Sequence, residues 1–327
     1  MSSVRSIVVF VPAEPGTPGS GAPARRAIDH MLRNAGRFED AETSVVAAGG
    51  APFPIEKLPN ASTRSLEELR ELDLADSIVL LFDALDPGAP PLEIAGYEGI
   101  AELERRLLLE RAVLAMRQGV RIRDPHTVYI RGELACGANV EIEVNVILEG
   151  RVVLGDGVTI GANSLVRSST IGERTRVNPF SIIEDSKVGR DGFVGPYGRI
   201  RPGSSIGDEV QIGNYVEIKS SQIGARTRIN HHSFIGDAIL GERVTIGAGT
   251  ITCNHDGVGT HQTVIERDAY IGSGCNLVAP IRIGEGATVG AGSTISRDVP
   301  ARKLTLARSP QTTVEDWQGP RRRRMEK

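Results

Sequence analysis

Aromatic residues are scarce in this chain: seven Phe, five Tyr and one Trp make up 4% of 327 residues. Large globular cores bury many such rings, so their scarcity argues against a single large core. Cysteine is scarce too. Cys136, Cys253 and Cys275 are three scattered thiols, which excludes a disulfide framework and leads us to expect a reducing, cytoplasmic setting. No apolar run approaches the roughly 20 residues a membrane span requires. The opening MSSVRSIVVFVPAEPG is too short in its apolar part, and too poorly flanked, to read as a secretory signal. An excess of one charge is also lacking. Residues 1–118 carry 12 Lys and Arg against 18 Asp and Glu, a net of −6, and the remaining 209 carry 26 against 23, a net of +3. That balance is too mild for a nucleic-acid footprint. The terminal RRRRMEK reads as a solvated tail. The expected partners therefore exclude nucleic acid and membrane.

What is present is glycine, 38 residues or about 12%, against an average near 7%, and a repeat. Apolar residues recur at Leu148, Leu154, Ile160, Val166, Ile171, Val177, Ile183, Val188, Val194, Ile200 and Ile206, and onward to Ile246. Most steps are six residues, with five-residue steps at 166→171, 183→188, 218→223 and 235→240. A period of six is neither 3.6 nor 2, which excludes an amphipathic helix or an ordinary hairpin sheet. It predicts a triangular coil of three short parallel strands, one hexad per side, with the apolar residue pointing inward and small residues at the turns. Residues 120–300 supply about ten coils. At ~4.8 Å between paired strands, these form a rod on the order of 50 Å long. The period does not give handedness. The regularity breaks between Thr252 and Val264, at TCNHDGVGTHQTV, and resumes at Ile271. Four of the six histidines, His231, His232, His255 and His261, lie around this break. Functional residues concentrate on loops that leave a regular scaffold.

The first third reads differently. SIVVFV at 6–11, SVVAA at 44–48 and SIVLLF at 77–82 read as strands, PAEPGTPGSGAP as a connecting loop and Ala24–Asn34 as a helix. Strands alternating with helices predict a small α/β unit. No lysine precedes Lys57, so the Gly/Pro-rich loop is not a P-loop. Tyr97–Gln118 reads as a connecting helix ended by Gly119, with Ile100, Leu103, Leu107 and Leu114 on one stripe and Glu102 and Arg106 as an i,i+4 pair. The expected organisation is a reduced α/β domain at 1–96, a connecting helix at 97–118, a β-helix at 119–303 and a tail at 304–327.

Several strings, read together, resemble one family: RDP at 123–125, VEIEVNVILEG at 140–150, RPG at 201–203 and GNYVEIK at 213–219. They continue with NHHSFIGD at 230–237, GAGTITCNHDG at 247–257, IGSGCNLVAP at 271–280 and RSPQ at 308–311. These resemble the bifunctional N-acetylglucosamine-1-phosphate uridyltransferase/glucosamine-1-phosphate acetyltransferase family over about residues 97–317. The resemblance implies a left-handed parallel β-helix of hexapeptide repeats, following a reduced nucleotidyltransferase-like α/β domain. It also implies acetyl transfer from acetyl-CoA to an amino-sugar phosphate, most simply glucosamine 1-phosphate, in UDP-N-acetylglucosamine biosynthesis, by a homotrimer with sites between subunits. Residue by residue, His231 matches the general base and Glu217 a carboxylate that orients and charge-stabilises its imidazole. Arg201 and Lys219 match a sugar-phosphate clamp. Asn254 matches a residue beside the reacting centre, and Ser273 a hydroxyl that holds the thioester oxygen as charge develops. Ala248, Asn254, His255, Ser273, Ala291 and Arg308 match the coenzyme-binding positions.

The departures are as informative. The family's phosphate-binding tyrosine aligns with Phe234, its acceptor-binding asparagine with Thr245 and a loop lysine with Thr260, so the donor side matches better than the acceptor side. In the N-terminal part the lysine expected after PAEPGTPG is missing, Asp83 is at most an echo of a magnesium-binding aspartate, and the asparagine motif before the helix reads IAGY at 94–97. Uridyl transfer needs metal and phosphate charge neutralised, so that activity, and any magnesium requirement, is expected to be lost. Two other readings compete: a non-catalytic trimeric scaffold or regulatory relative, and an acyltransferase for a different amino sugar. A zinc site built from His231, His255 and His261 gives His231 a poorer role than that of a base, and no metal site is expected.

Overall fold

The computed structural model describes residues 6–11, 42–47, 61–63, 77–81 and 92–317. The chain divides into two compact units, Met1–Arg131 and Gly132–Lys327. The Gly/Pro-rich loop, the Ala24–Asn34 helix, Asp83 and the RRRRMEK tail lie outside the described residues.

The first unit is α/β. Strands β1 (Ser6–Val11), β2 (Glu42–Ala47), β3 (Ala61–Thr63), β4 (Ser77–Leu81) and β5 (Leu92–Ala95) form a sheet in the order β3-β2-β1-β4-β5. The pairing is parallel throughout except that β5 runs antiparallel to β4. The three expected strands are all present. The two edge strands escape a reading of the sequence because AST and LEIA offer neither a long β-branched run nor alternation. Helix α1 (Gly96–Arg117) follows β5 directly. Leu103, Leu107 and Leu108 are buried, Ala112 and Ala115 extend the same face, and Glu102 takes Arg106 at 2.8 Å as the i,i+4 spacing predicts. The helix stops in a Schellman arrangement. Gly119 has φ of 98°, its N–H donates to Met116 O at 3.0 Å, and the Val120 N–H reaches Ala115 O at 3.1 Å.

The second unit is the β-helix of hexapeptide repeats, the form the resemblance implies. Each coil has three sides, and every strand is parallel to its equivalents one coil before and after. Three stacks of aliphatic side chains fill the prism. Val177, Val194, Ile212, Ile229, Ile246, Ile271 and Val289 plug the first side. Val166, Ile183, Ile200, Ile218, Ile235 and Leu277 plug the second, and Ile171, Val188, Ile206, Ile223, Leu240 and Ile265 the third. All are at most 5% exposed, and valines two positions before a plug, such as Val158, Val210, Val216 and Val244, are buried beside them. Thr252 takes the second side's slot where an aliphatic is expected. Its hydroxyl is not stranded, because Gly236 N–H donates to it at 2.8 Å and it donates to Gly236 O at 3.1 Å.

The corners carry the left-handed residues. Column by column they differ in chemistry, because the same corner position recurs once in every coil. One corner stacks Phe180, Tyr197, Tyr215 and His232, with ring centroids 4.9–5.0 Å apart and planes within 15°. Another is an ionic column in which Arg174 takes Asp191, Arg226 takes Glu242, and Arg243 takes Asp268. The break in the repeat is a hairpin between Ile251–Cys253 and Thr263–Ile265. It is shorter than the sequence suggests, since Ile265 already occupies its core stack.

Truncating a plug leaves a cavity that neighbouring coils, tied by backbone hydrogen bonds, cannot close. Ile200→Ala is expected to lower unfolding stability by about 2–5 kcal/mol in denaturant titrations. Val258→Ala, at a residue 96% exposed on the hairpin, is expected to change it by no more than about 0.5 kcal/mol.

Candidate functional site

Two faces meet at the corner that carries His231, and the site is built from that edge. The corner follows Arg228–Ile229 on the first side and precedes Phe234–Gly236 on the second. Asn214, His231, Ala248, Ser273 and Ala291 stand there one per coil. Each carbonyl is tied to the next coil: His232 N–H donates to Asn214 O, Gly249 to His231, Gly274 to Ala248 and Gly292 to Ser273, at 2.8–3.1 Å. Arg308 closes the series by donating to Ala291 O at 2.9 Å. Five residues from 231 to 308, singled out as base and coenzyme positions, thus form a single column with its base at one end and its cation at the other. Small residues make the column possible. A Cβ on Gly247 would sit 2.5 Å from Ser273 N, and one on Gly272 would sit 2.5 Å from Ala291 N.

The imidazole of His231 has a partner the sequence does not reveal. Its Nδ1 meets Asn214 Oδ1. An amide oxygen only accepts, so Nδ1 carries the proton and the Nε2 lone pair is left for chemistry. Glu217, expected to orient this ring, is instead engaged by Arg201, whose Nη1 donates to Oε1 at 2.9 Å.

The second side collects the rest of the acceptor-side residues. Pairing in register sets Glu217 beside Phe234 and Lys219 beside Gly236. Asp237 lies one residue further on. It takes Lys219 Nζ at 3.7 Å and accepts from Asn254 Nδ2 at 2.5 Å, so one carboxylate links the lysine to the buried asparagine. The tip of the Phe234 ring leans over Gly236: a Cβ there would lie 2.6 Å from Cζ and 2.9 Å from Asn254 Nδ2. Neither Asp237 nor Asn214 stands out in the sequence. The only signal is spacing: Asn214 lies one coil before His231. Thr245 is not with these residues. It sits on the first side, paired in register with Arg228.

His255 lies on the hairpin, where its Nδ1 accepts from Gly257 N–H at 3.0 Å and its backbone bridges Thr260. Asp256 organises the turn: Oδ1 accepts from Val258 and Gly259 N–H at 2.8 Å, and Oδ2 meets His261 Nε2 at 2.7 Å. The Gly259 N–H and then His261 hold the Asp256 carboxyl well below the ordinary carboxylate range. Among the described residues no three His, Cys, Asp or Glu side chains gather as a ligand set. Burial pushes the Cys136 thiol up to about 11, which makes it a poor nucleophile at neutral pH.

Residues 262–297 match the family model for the bacterial transferase hexapeptide (six repeats). Bifunctional protein GlmU of Methylibium petroleiphilum is 45% identical over 262 residues, which cover 79% of this chain and 56% of that protein. Bifunctional protein GlmU of Methylococcus capsulatus is 43% identical over 296 residues, covering 88% and 64%. Among solved structures, UDP-N-acetylglucosamine acyltransferase from Campylobacter jejuni aligns over 57% of this chain and 71% of its own at 17% identity and a TM-score of 0.36. The chain spans about half to two thirds of the length of these curated relatives.

A depressed carboxyl supports its surroundings in a definite pH window. For Asp256 that support is complete above the ordinary carboxylate value near ~4 and drains away as pH falls through the depressed one. The Val258 and Gly259 amide protons are expected to exchange slowly in NMR spectra at neutral pH, where the carboxylate that accepts from both is fully ionised. In Asp256→Asn, which keeps one acceptor oxygen but loses the charge, both are expected to exchange faster at neutral pH.

Proposed function

We propose that this chain, whose β-helix resembles the acetyltransferase half of bifunctional protein GlmU at 43–49% identity, is an acetyl-CoA-dependent N-acetyltransferase. Its acceptor is the amine of an amino-sugar phosphate, most simply glucosamine 1-phosphate. The observation that carries this reading is the column at the His231 edge. It sets a base with a free Nε2 in line with small residues, a hydroxyl and a terminal arginine, an order suited to an extended thioester substrate.

The chemistry follows from those groups. The acceptor nitrogen attacks the thioester carbonyl carbon, and His231 Nε2 takes the proton that the amine sheds. Asn214 steadies the imidazolium through Nδ1. Ser273 Oγ donates to the carbonyl oxygen as it becomes an oxyanion. The C–S bond then breaks, and His231 returns the proton to the departing thiolate. Ala248 and Ala291 keep the neighbouring edge low enough for the coenzyme arm, and Arg308 offers a cation for one of its phosphates. Arg201 and Lys219 face the acceptor side, together with Asn254.

Thr245 supports an assembly of identical chains, a homotrimer in our reading. In one chain it lies around the corner from Phe234 and Lys219, so an acceptor that uses all three must lie between two copies. Loss of uridyl transfer is part of the same proposal. Its support is that the lysine expected after PAEPGTPG is missing, no lysine preceding Lys57 to neutralise nucleotide phosphates.

The test is release of CoA thiol from acetyl-CoA by purified protein with glucosamine 1-phosphate. Wild type is expected to release thiol and His231→Ala to lose it; equal rates would refute the base assignment, and no release by wild type would refute the acceptor. Phe234→Tyr adds a hydroxyl at a ring tip that already lies beside Gly236 and the Asn254 amide. A hydrogen bond to a charged group is worth roughly 1.5–3 kcal/mol, so Phe234→Tyr with Thr245→Asn is expected to lower KM for the acceptor by about 10-fold or more at similar kcat.

A further inference from the structure

Asp237 holds both ends of the hairpin that interrupts the repeat. Its carboxylate reaches the outgoing end, where Asn254 Nδ2 donates to Oδ2 at 2.5 Å. Its carbonyl oxygen takes the returning end, accepting from Thr263 N–H at 3.3 Å. Between these ties the hairpin closes on itself, with His261 N–H donating to Asn254 O at 2.7 Å. The same Oδ2 lies 3.7 Å from Lys219 Nζ, so the carboxylate that holds the hairpin also faces a cation of the acceptor side. A carboxylate only accepts, which fixes the Asn254 amide with its NH2 toward Asp237. Asn254 is 9% exposed, so water offers its amide little alternative. The local backbone is suited to the contact. A Cβ on Gly236 would lie 2.9 Å from Asn254 Nδ2, and Asp237 has φ of 50°, a left-handed conformation that Asp and Asn tolerate better than most residues.

We propose that Asp237 is a positioning residue. It sets Asn254 and the foot of the hairpin in place beside the reacting groups, and it ties them to Lys219. One carboxylate oxygen shared by an amide and an ammonium joins the two in a single network, so that neither moves without disturbing the partner of the other. Residues assigned to the donor and to the acceptor thereby keep one relative placement. The role of Asn254 beside the reacting centre rests on the acetyl-transfer reading; the hold on the hairpin does not.

Two variants test this in the full chain. Asp237→Gly removes the carboxylate at a φ that glycine adopts freely, and Asp237→Asn keeps an oxygen for the Asn254 amide but not the charge. Each is followed by amide hydrogen exchange at His261 and Thr263, and by kcat and KM for thiol release with glucosamine 1-phosphate. Loss of a hydrogen bond to a charged group corresponds to about 10-fold or more. Asp237→Gly is expected to speed exchange at His261 and to lower kcat by about that factor, with a smaller change in acceptor KM. Thr263, held by the main-chain carbonyl, is expected to change less, which separates loss of the carboxylate from general unfolding. Asp237→Asn is expected to recover part of both losses. Unchanged His261 exchange in Asp237→Gly would overturn the hold on the hairpin, and faster exchange with wild-type kcat would overturn the positioning role. If the glycine variant does not fold, wild-type exchange and kcat in Asp237→Asn overturn the proposal. A wild type that releases no thiol refutes the transferase reading, and the exchange measurement then still decides whether Asp237 holds the hairpin.

Discussion

The β-helix depends on one constraint: each coil must hydrogen-bond to the next at strand spacing while aliphatic side chains plug each side. The backbone bonds fix the length of the repeat, and the plugs fix which way every hexad faces. A slip by a single position would turn a plug outward and break the register of the coils above and below. Thr252 shows how tight the rule is. A hydroxyl replaces an aliphatic in the second stack, and it is tolerated because Gly236 supplies both its partners.

The same constraint turns distance in sequence into adjacency in space. Residues one coil apart become neighbours at every position, so corners become columns: aromatic at Phe180 to His232, ionic at Arg174 to Asp268, and small or functional at Asn214 to Ala291. The functional column lies on the edge where two sides meet. Its base thus borders a side with acidic and basic pairs and another side that carries Arg228 and Thr245. A single chain separates Thr245 from Phe234 for the same reason, since they lie on different sides of the prism.

Electrostatics sort these two sides. Arg201 and Lys219 are held by Glu217 and Asp237, which positions them on the acceptor side. On the other side Asp191, Glu242 and Asp268 are taken by Arg174, Arg226 and Arg243, while Arg228 makes no ion pair among the described residues. The Asp256 hairpin adds a further local device, a carboxylate that organises its own turn through two backbone amides and an imidazole.

Much of the fold was legible because it is written in a period. The six-residue recurrence of Ile, Leu and Val, with glycine beside it, admits few structures, and His231, Ala248, Ser273 and Ala291 could be picked out because they sit in motifs with strong resemblance. The short edge strands Ala61–Thr63 and Leu92–Ala95 left no such mark. Nor did the partners: that the imidazole of His231 faces Asn214 rather than Glu217, that Asp237 links Lys219 to Asn254, and that Thr245 stands beside Arg228. Period alone determined which residues point inward, since burial selects for apolar side chains wherever they fall. Which polar residues touch was decided only by the coil-to-coil register, because contact between side chains one coil apart depends on where the backbone turns and not on the identity of either residue.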